Sequence, residues 1–324
     1  MILVCGEALF DLFAEETGER LTFDARIGGS PFNVAVGLAR LETPVAFFGA
    51  LSADLFGERL RQALAREGVD TTLCPTRKAL TTLSVVGLDA SGSPAYAFYG
   101  DNAADRQLHE QDLPDLPDDI DMIHLGSFSA LVEPIGNTLL ALARREHGRR
   151  LIAYDPNVRP SVVGDLDAWR ARLDELLPHV DLLKISAEDA ETLYPGIDPR
   201  ALARDWLSRG PRLVVVTRGG DGALAMTARQ EVERPGRKVG VVDTVGAGDT
   251  FQAALLAGLA WGGTVSGDAL AALEADALDT LLARAIEAAA ITCTRRGADL
   301  PRRDEITLQT DPAAASPAPR SLHR

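Results

Sequence analysis

From about residue 120 onward, short apolar runs alternate with stretches of helical period. MIHLGSF (122–128) precedes a helical pattern over about 132–147, and LIAYDPN (151–157) precedes one over about 166–177. LLKIS (182–186) and LVVVTRG (213–219) follow, with helical segments near 187–194 and 199–209. Strands alternating with helices at this spacing predict βαβ units, and hence a mostly parallel sheet covered on both faces. Longer helices over about 247–262 and 278–294 are expected to complete one covering layer.

The N-terminal third follows a different pattern. MILVCGEALFDLF reads as a strand starting almost at residue 1, and EETGERLTFDARIGG behind it alternates only weakly. TTLSVVGLDASGSPAYAFYG (81–100) reads as two strands around a turn at Asp89–Pro94. Neither segment belongs to a βαβ series. Segments 12–26 and 81–100 therefore predict a small β-sheet beside the main domain, placed to act as a lid. One domain is expected over 1–310, followed by an Ala- and Pro-rich tail, 311–324, expected to be disordered. No fixed-period repeat interrupts this order.

Composition narrows the class of protein. The 324 residues are 46% hydrophobic and 25% charged, the balance of a globule with a sizeable core. A net charge of −14 argues against nucleic acid or an anionic membrane as the main partner. It leaves room for a nucleotide, which needs only local donors. No apolar run approaches the ~18 residues of a membrane span, and the N-terminus lacks the basic region of a signal peptide. Cys5, Cys74 and Cys293 are odd in number and widely spaced, so a reducing compartment, the cytoplasm, is expected.

The segment with the most chemistry is VVDTVGAGDTFQAALLAGLAWG (241–262). A strand end is followed by a glycine turn and a helix opening near Ala247–Asp249. Gly246 and Gly248 permit close backbone approach, and the unpaired N–H groups of a helix start form an anion site. Asp249 would stand beside a phosphoryl group held there. Taken alone, Gly-x-Gly-Asp is more often a helix start whose acid complements the dipole. In IGGSPFNVAVGLARL (27–41), Gly28-Gly29 brings backbone near a ligand, Pro31 suits a first helical turn, and Asn33 offers donor and acceptor; a plain glycine turn fits equally well. In AYDPNVRP (153–160), Asp155, Asn157 and Arg159 would share one face if the strand continued. Strand ends of open parallel sheets are where ligands bind.

Together these segments resemble the PfkB, or ribokinase-like, carbohydrate kinases. DTVGAGDTF is similar to the family's C-terminal signature, and IGGSPFNVAVGLARL to its N-terminal one, more than 200 residues apart and in the family's order. The resemblance covers roughly residues 1–310 and implies a ribokinase-like three-layer α/β fold with a small β lid. It implies phosphorylation of a small sugar by ATP with magnesium, with Asp249 as base and the Gly246–Ala247–Gly248 amides as anion hole. It further implies sugar contacts from Asp11, Gly28, Gly29, Asn33 and Arg159. Tyr99, with Phe98 beside it on the lid, is expected to cover the substrate. ATP contacts are implied at Ser186, Thr217, Gly219, Gly222, Ala290 and Cys293. By themselves, the glycines of VVVTRGGDGAL make a tight turn between strands, and AAAITCTRRGA an ordinary packed helix.

A monovalent cation, potassium, is implied at Asp243 and Val245. Where many relatives carry Asn-x-x-Glu near the metal and phosphates, this chain has Ser186 and Asp189, which places the magnesium role of Glu188 or Asp189 in question. GEALFD, GGSPFNVA and DPNVRP together look most like fructokinases, with ketodeoxygluconate, ribose and nucleosides open, as is a catalytically silent sugar-binding relative. An exposed lid edge suggests a homodimer. The chain lacks a P-loop, a Gly-x-Gly-x-x-Gly after the first strand, and Gly-x-Ser-x-Gly, which weighs against P-loop kinases, dinucleotide oxidoreductases and the common hydrolases.

Overall fold

The computed structural model describes residues 1–306 except 19 and 89–93; the expected tail and most of the expected turn at 89–94 lie outside the described residues. The chain opens with β1 (Ile2–Cys5), then the hairpin β2 (Leu9–Thr17) and β3 (Arg20–Gly28). Helix α1 (Ser30–Arg40) and β4 (Val45–Phe48) return it to the core. The short strands β5 (Leu51–Ser52) and β6 (Thr76–Arg77) bracket α2 (Leu55–Arg66), before β7 (Leu83–Leu88) and β8 (Pro94–Tyr99). The alternating series is β9 (Met122–Gly126), α3 (Ile135–Glu146), β10 (Leu151–Asp155), α4 (Leu166–Leu176), β11 (Leu182–Ser186), α5 (Ala187–Leu193), α6 (Pro199–Leu207) and β12 (Leu213–Thr217). The hairpin β13 (Ala223–Met226) and β14 (Glu231–Arg234) follows, then α7 (Ala247–Trp261), α8 (Gly267–Ala271) and α9 (Ala275–Cys293).

Eight strands make the central sheet in the order β14-β13-β12-β11-β10-β9-β1-β4. Pairing is parallel from β4 to β12 and antiparallel at the β12–β13–β14 edge. Strand alternation divides the apolar residues between two cores. Ile2, Val4, Met122, Leu182 and Val215 pack toward α1, α7 and α9. Leu3, Ile123, Tyr154, Leu183 and Val216 pack toward α3, α4 and α6. Sheets buried on both faces need continuous apolar runs, which explains why these strands lack polar alternation. Helix α7 lies between α1 and α9, and Thr250 through Leu259 are all buried, so it is apolar nearly all round.

The second sheet has the order β3-β2-β7-β8 and matches the lid segments anticipated from the sequence. Asp11, Ser84 and Phe98 are in register across β2, β7 and β8. Several strands are shorter than the pattern suggested: β10 stops at Asp155, and Asn157 takes a positive φ of 42°. The expected shared face of Asp155, Asn157 and Arg159 is thereby corrected. The left-handed residue turns the chain outward, while Asp155 stays in the sheet and faces inward.

Candidate active site

At the carboxyl ends of β9 to β12, the lid and the starts of α1 and α7 enclose a cavity of about 590 Å³. Its lid wall consists of Leu9, Asp11, Phe13, Ser84, Val86 and Phe98, alternate residues of three strands. Tyr99 is the next residue after Phe98, and the pleat turns it to the outer face, where it is 65% exposed. The expectation for Tyr99 is therefore corrected, and Phe98 occupies the position facing the cavity.

Asp249 sits at the junction of lid and core. Ser30 Oγ donates to its Oδ1 at 2.6 Å, and Asn33 Nδ2 to its Oδ2 at 2.8 Å. Both donors stand in the first turn of α1, which starts where it does because Gly29 holds φ at +102° and Pro31 fits the first turn. Burial pushes the Asp249 carboxyl above the ordinary aspartate value. The two hydrogen bonds and the charges of Arg159 and Lys184 act in the opposite direction. A carboxylate held on two sides, with its basicity raised by burial, is suited to accept a proton.

The turn before Asp249 is equally specific. Gly246 is left-handed, with φ at +77°, and caps α7; Thr250 Oγ1 donates to its carbonyl. The Ala247 N–H bonds the Thr244 carbonyl, so the expected role of that amide in the anion hole is corrected. Among the described residues the N–H groups of Gly246, Gly248 and Asp249 have no acceptor, and an anion site at this helix start would use them.

Asp11 is half-buried opposite Asp249, its carboxyl raised by burial while Ser84 and Arg159 oppose the rise. Gly28 lies against it: a Cβ there would fall 2.2 Å from Asp11 Oδ2. Gly29, Asn33, Arg159, Ser186, Asp189 and Thr217 all line the cavity. Ser186 caps α5 by accepting the Asp189 N–H, and burial raises the Asp189 carboxyl.

Other expected residues lie elsewhere. Gly222 packs onto the Arg234 carbonyl at the open end of the β13–β14 hairpin, so close backbone packing accounts for that glycine. Gly219 has open space around it. Ala290 is buried and Cys293 half-buried, and neither lines the cavity; the Cys293 carbonyl accepts the N–H groups of Val242 and Asp243. Asp243 joins the two loops anticipated for a cation, accepting from Val245 N at 3.1 Å and Gly297 N at 2.8 Å.

Residues 1–305 match the family model described as pfkB family carbohydrate kinase. The chain belongs to this family. It is 40% identical to a fructokinase of Rhizobium leguminosarum bv. trifolii over 86% of this chain and 85% of that one. It is 36% identical to a fructokinase of Klebsiella pneumoniae over 94% and 97%. A fructokinase of Xylella fastidiosa with bound ATP superposes with a TM-score of 0.86 at 29% identity, covering 94% of this chain and 96% of that one. A Vibrio cholerae fructokinase in fructose-, ADP- and calcium-bound form gives 0.77 at 26% identity, over 92% and 94%.

The cavity of this pfkB carbohydrate kinase is also lined by residues that its sequence pattern did not single out, Ser30, Lys184 and Glu7. Ser30 follows directly on Gly28-Gly29, and its place at the head of a helix was the available signal. Lys184 was the one charge in an apolar strand, a position where lysine is rare without a partner. Glu7, 1% exposed, lines the cavity and accepts a short hydrogen bond from Ser129.

Proposed function

We propose that this chain is an ATP-dependent fructokinase, transferring the γ-phosphoryl group of ATP to a primary hydroxyl of fructose. The observation that carries the reading is the Asp249 carboxylate, fixed by Ser30 and Asn33 beside the open amides of Gly246 and Gly248. The sugar would lie between Asp11 on the lid and Asp249. Asp11 accepts two hydroxyl hydrogen bonds, and Gly29 and Asn33 complete the wall. Asp249 takes the proton from the attacking hydroxyl as the bond to phosphorus forms, and the amides hold the phosphoryl oxygens. Arg159 is exposed at the rim, with its Nη1 donating to the Val158 carbonyl, and would clamp the phosphates. The nucleotide would pass over Thr217 and the open backbone at Gly219.

Magnesium would enter with the nucleotide and neutralise charge between its phosphates. Asp189 and Glu188 line the cavity and are the residues that would hold it. No group of three or more His, Cys, Asp or Glu able to hold a metal occurs among the described residues, which suits an ion bound mainly by phosphates, water and one or two carboxylates. Potassium would sit at the Asp243–Val245 turn, and equal rates in potassium and tetramethylammonium buffers would remove it from the reading. The lid's outer face exposes Leu21, Phe23 and Tyr99, and a second copy of the chain would cover them. A strictly monomeric solution mass would refute that part.

Release of ADP with a panel of fructose, ketodeoxygluconate, ribose and nucleosides tests the substrate. Fructose should give the highest kcat/KM. A nucleoside or another sugar leading by tenfold would replace it, and no release with any acceptor would point to a silent binding protein.

A further inference from the structure

Beneath the Asp249 turn lies a buried ion pair that the reaction described above does not use. Lys184 and Asp155 are 3% and 1% exposed, with Lys184 Nζ 2.7 Å from Asp155 Oδ2. Strand alternation places Lys184 on the same face as Leu182, toward α7, and brings it to the floor of the cavity. Its ammonium sits against the anion turn: a Cβ at Gly248 would lie 3.5 Å from Nζ. Among the described residues Asp155 is its one hydrogen-bond partner, so two of its three N–H groups are unassigned.

Burying an ammonium and a carboxylate costs several kcal/mol each, and apolar replacements are often neutral or stabilising. Holding the fold together is therefore a weak reason for this pair to exist. Its position supplies a better one, because it lies against the Gly248 turn, whose free amides are built to receive an anion. In the neighbouring segment the Ser186 hydroxyl is occupied capping α5. Arg159, the other cation at the site, is exposed, whereas Lys184 is locked in the sheet.

We propose that Lys184 is a catalytic residue, a fixed cation donating to the transferring phosphoryl group from below, and that Asp155 is its positioning residue. This rests on the kinase reading above. As the γ-phosphoryl group leaves ADP for the sugar oxygen, its equatorial oxygens remain charged, and the ammonium holds them without moving. Asp155 keeps Nζ aimed at the Gly248 turn and offsets its charge when no phosphate is bound.

The test compares the parent with Lys184→Met, Lys184→Arg and the charge-neutral double variant Lys184→Met/Asp155→Asn. The double variant leaves no lone buried charge, so it should fold if the single variant does not. Far-UV and near-UV circular dichroism check this. With sugar saturating, kcat should fall about 10²–10³-fold in both Met variants, the range for losing one such donor, while KM for sugar changes little. The loss should be uniform from pH 6 to 9. Binding of ADP with aluminium fluoride and sugar should weaken in parallel, while binding of ADP alone should not.

If Lys184 acts only by tuning Asp249, the acidic limb of the pH profile will move up in pH and the plateau will survive; that result overturns the proposal. A folded double variant turning over within a few-fold of the parent overturns it as well. Activity recovered by Lys184→Arg supports it. If the parent itself transfers no phosphoryl group to any acceptor, the kinase reading fails instead, and the two failures are distinguishable.

Discussion

At the scale of single residues, a sugar hydroxyl is a poor nucleophile at neutral pH, and Asp249 is the group placed to take its proton. Asp249→Asn removes the base while keeping the side chain's shape. Its amide oxygen can still accept from Asn33, and its NH2 can donate to Ser30 Oγ, so only the Ser30 bond reverses direction. The substitution should lower kcat by about 10²–10⁴-fold with small changes in affinity for sugar and ATP. Turnover by the folded variant within a few-fold of the parent would reduce Asp249 to a helix-terminal acid. Asn33 supports the ionised form of Asp249, since its hydrogen bond lowers a pKa that burial has raised. Asn33→Ala should therefore shift the acidic limb of the kcat profile to higher pH; a limb that stays put, or moves down, contradicts this. The motif frame made Asp249 legible in the sequence. That Ser30 is its second anchor was not legible, because residues 219 positions apart meet only when α1 and α7 pack together.

At the scale of elements, the lid is one sheet with two different faces. Its inner face carries Asp11, Ser84 and Phe98 in register, and its outer face carries Tyr99. Phe10, Leu12, Ile27, Leu83 and Phe98 pack this sheet against the cores, and its contacts can change when the cavity fills. Adding sugar should slow amide hydrogen exchange in 9–28 and 83–99 more than in β9 to β12, measured by mass spectrometry. Protection confined to the central sheet would dismiss the lid role. The sequence marked both lid segments because they broke the βαβ rhythm. Choosing between Phe98 and Tyr99 required the register, since neighbouring aromatics in a strand look alike until pairing fixes the face. The same applies to Asn157, whose positive φ ends the alternation expected after Asp155.

For the whole molecule, the two cores on either side of the sheet hold the fold, and the polar groups buried near the cavity oppose it. Glu7 is the clearest case. Burial raises its carboxyl from an ordinary 4.5 to about 7, with hydrogen bonds from Ser129 and Ser127 opposing and the neighbouring Asp105 adding to the rise. Between those two values the unfolded chain has released the proton while the folded protein still holds it. The contribution of Glu7 to stability should therefore fall as pH rises from about 4.5 to 7, by up to about 1.4 kcal/mol per pH unit. Thermal melts from pH 5 to 7.5 should show a more negative slope of stability against pH in the parent than in Glu7→Gln; equal slopes would contradict it. By itself the sequence determined the βαβ series, the lid segments and the acid at the glycine turn, because each is written in local spacing: period 2, period 3.6, or residues adjacent in the chain. Only the tertiary structure decided the pairing of Asp249 with Ser30 and Asn33, the choice of Phe98, and the placing of Lys184 against Gly248. Those contacts join segments tens to hundreds of residues apart, and their partners are set by packing and register, which no local pattern encodes.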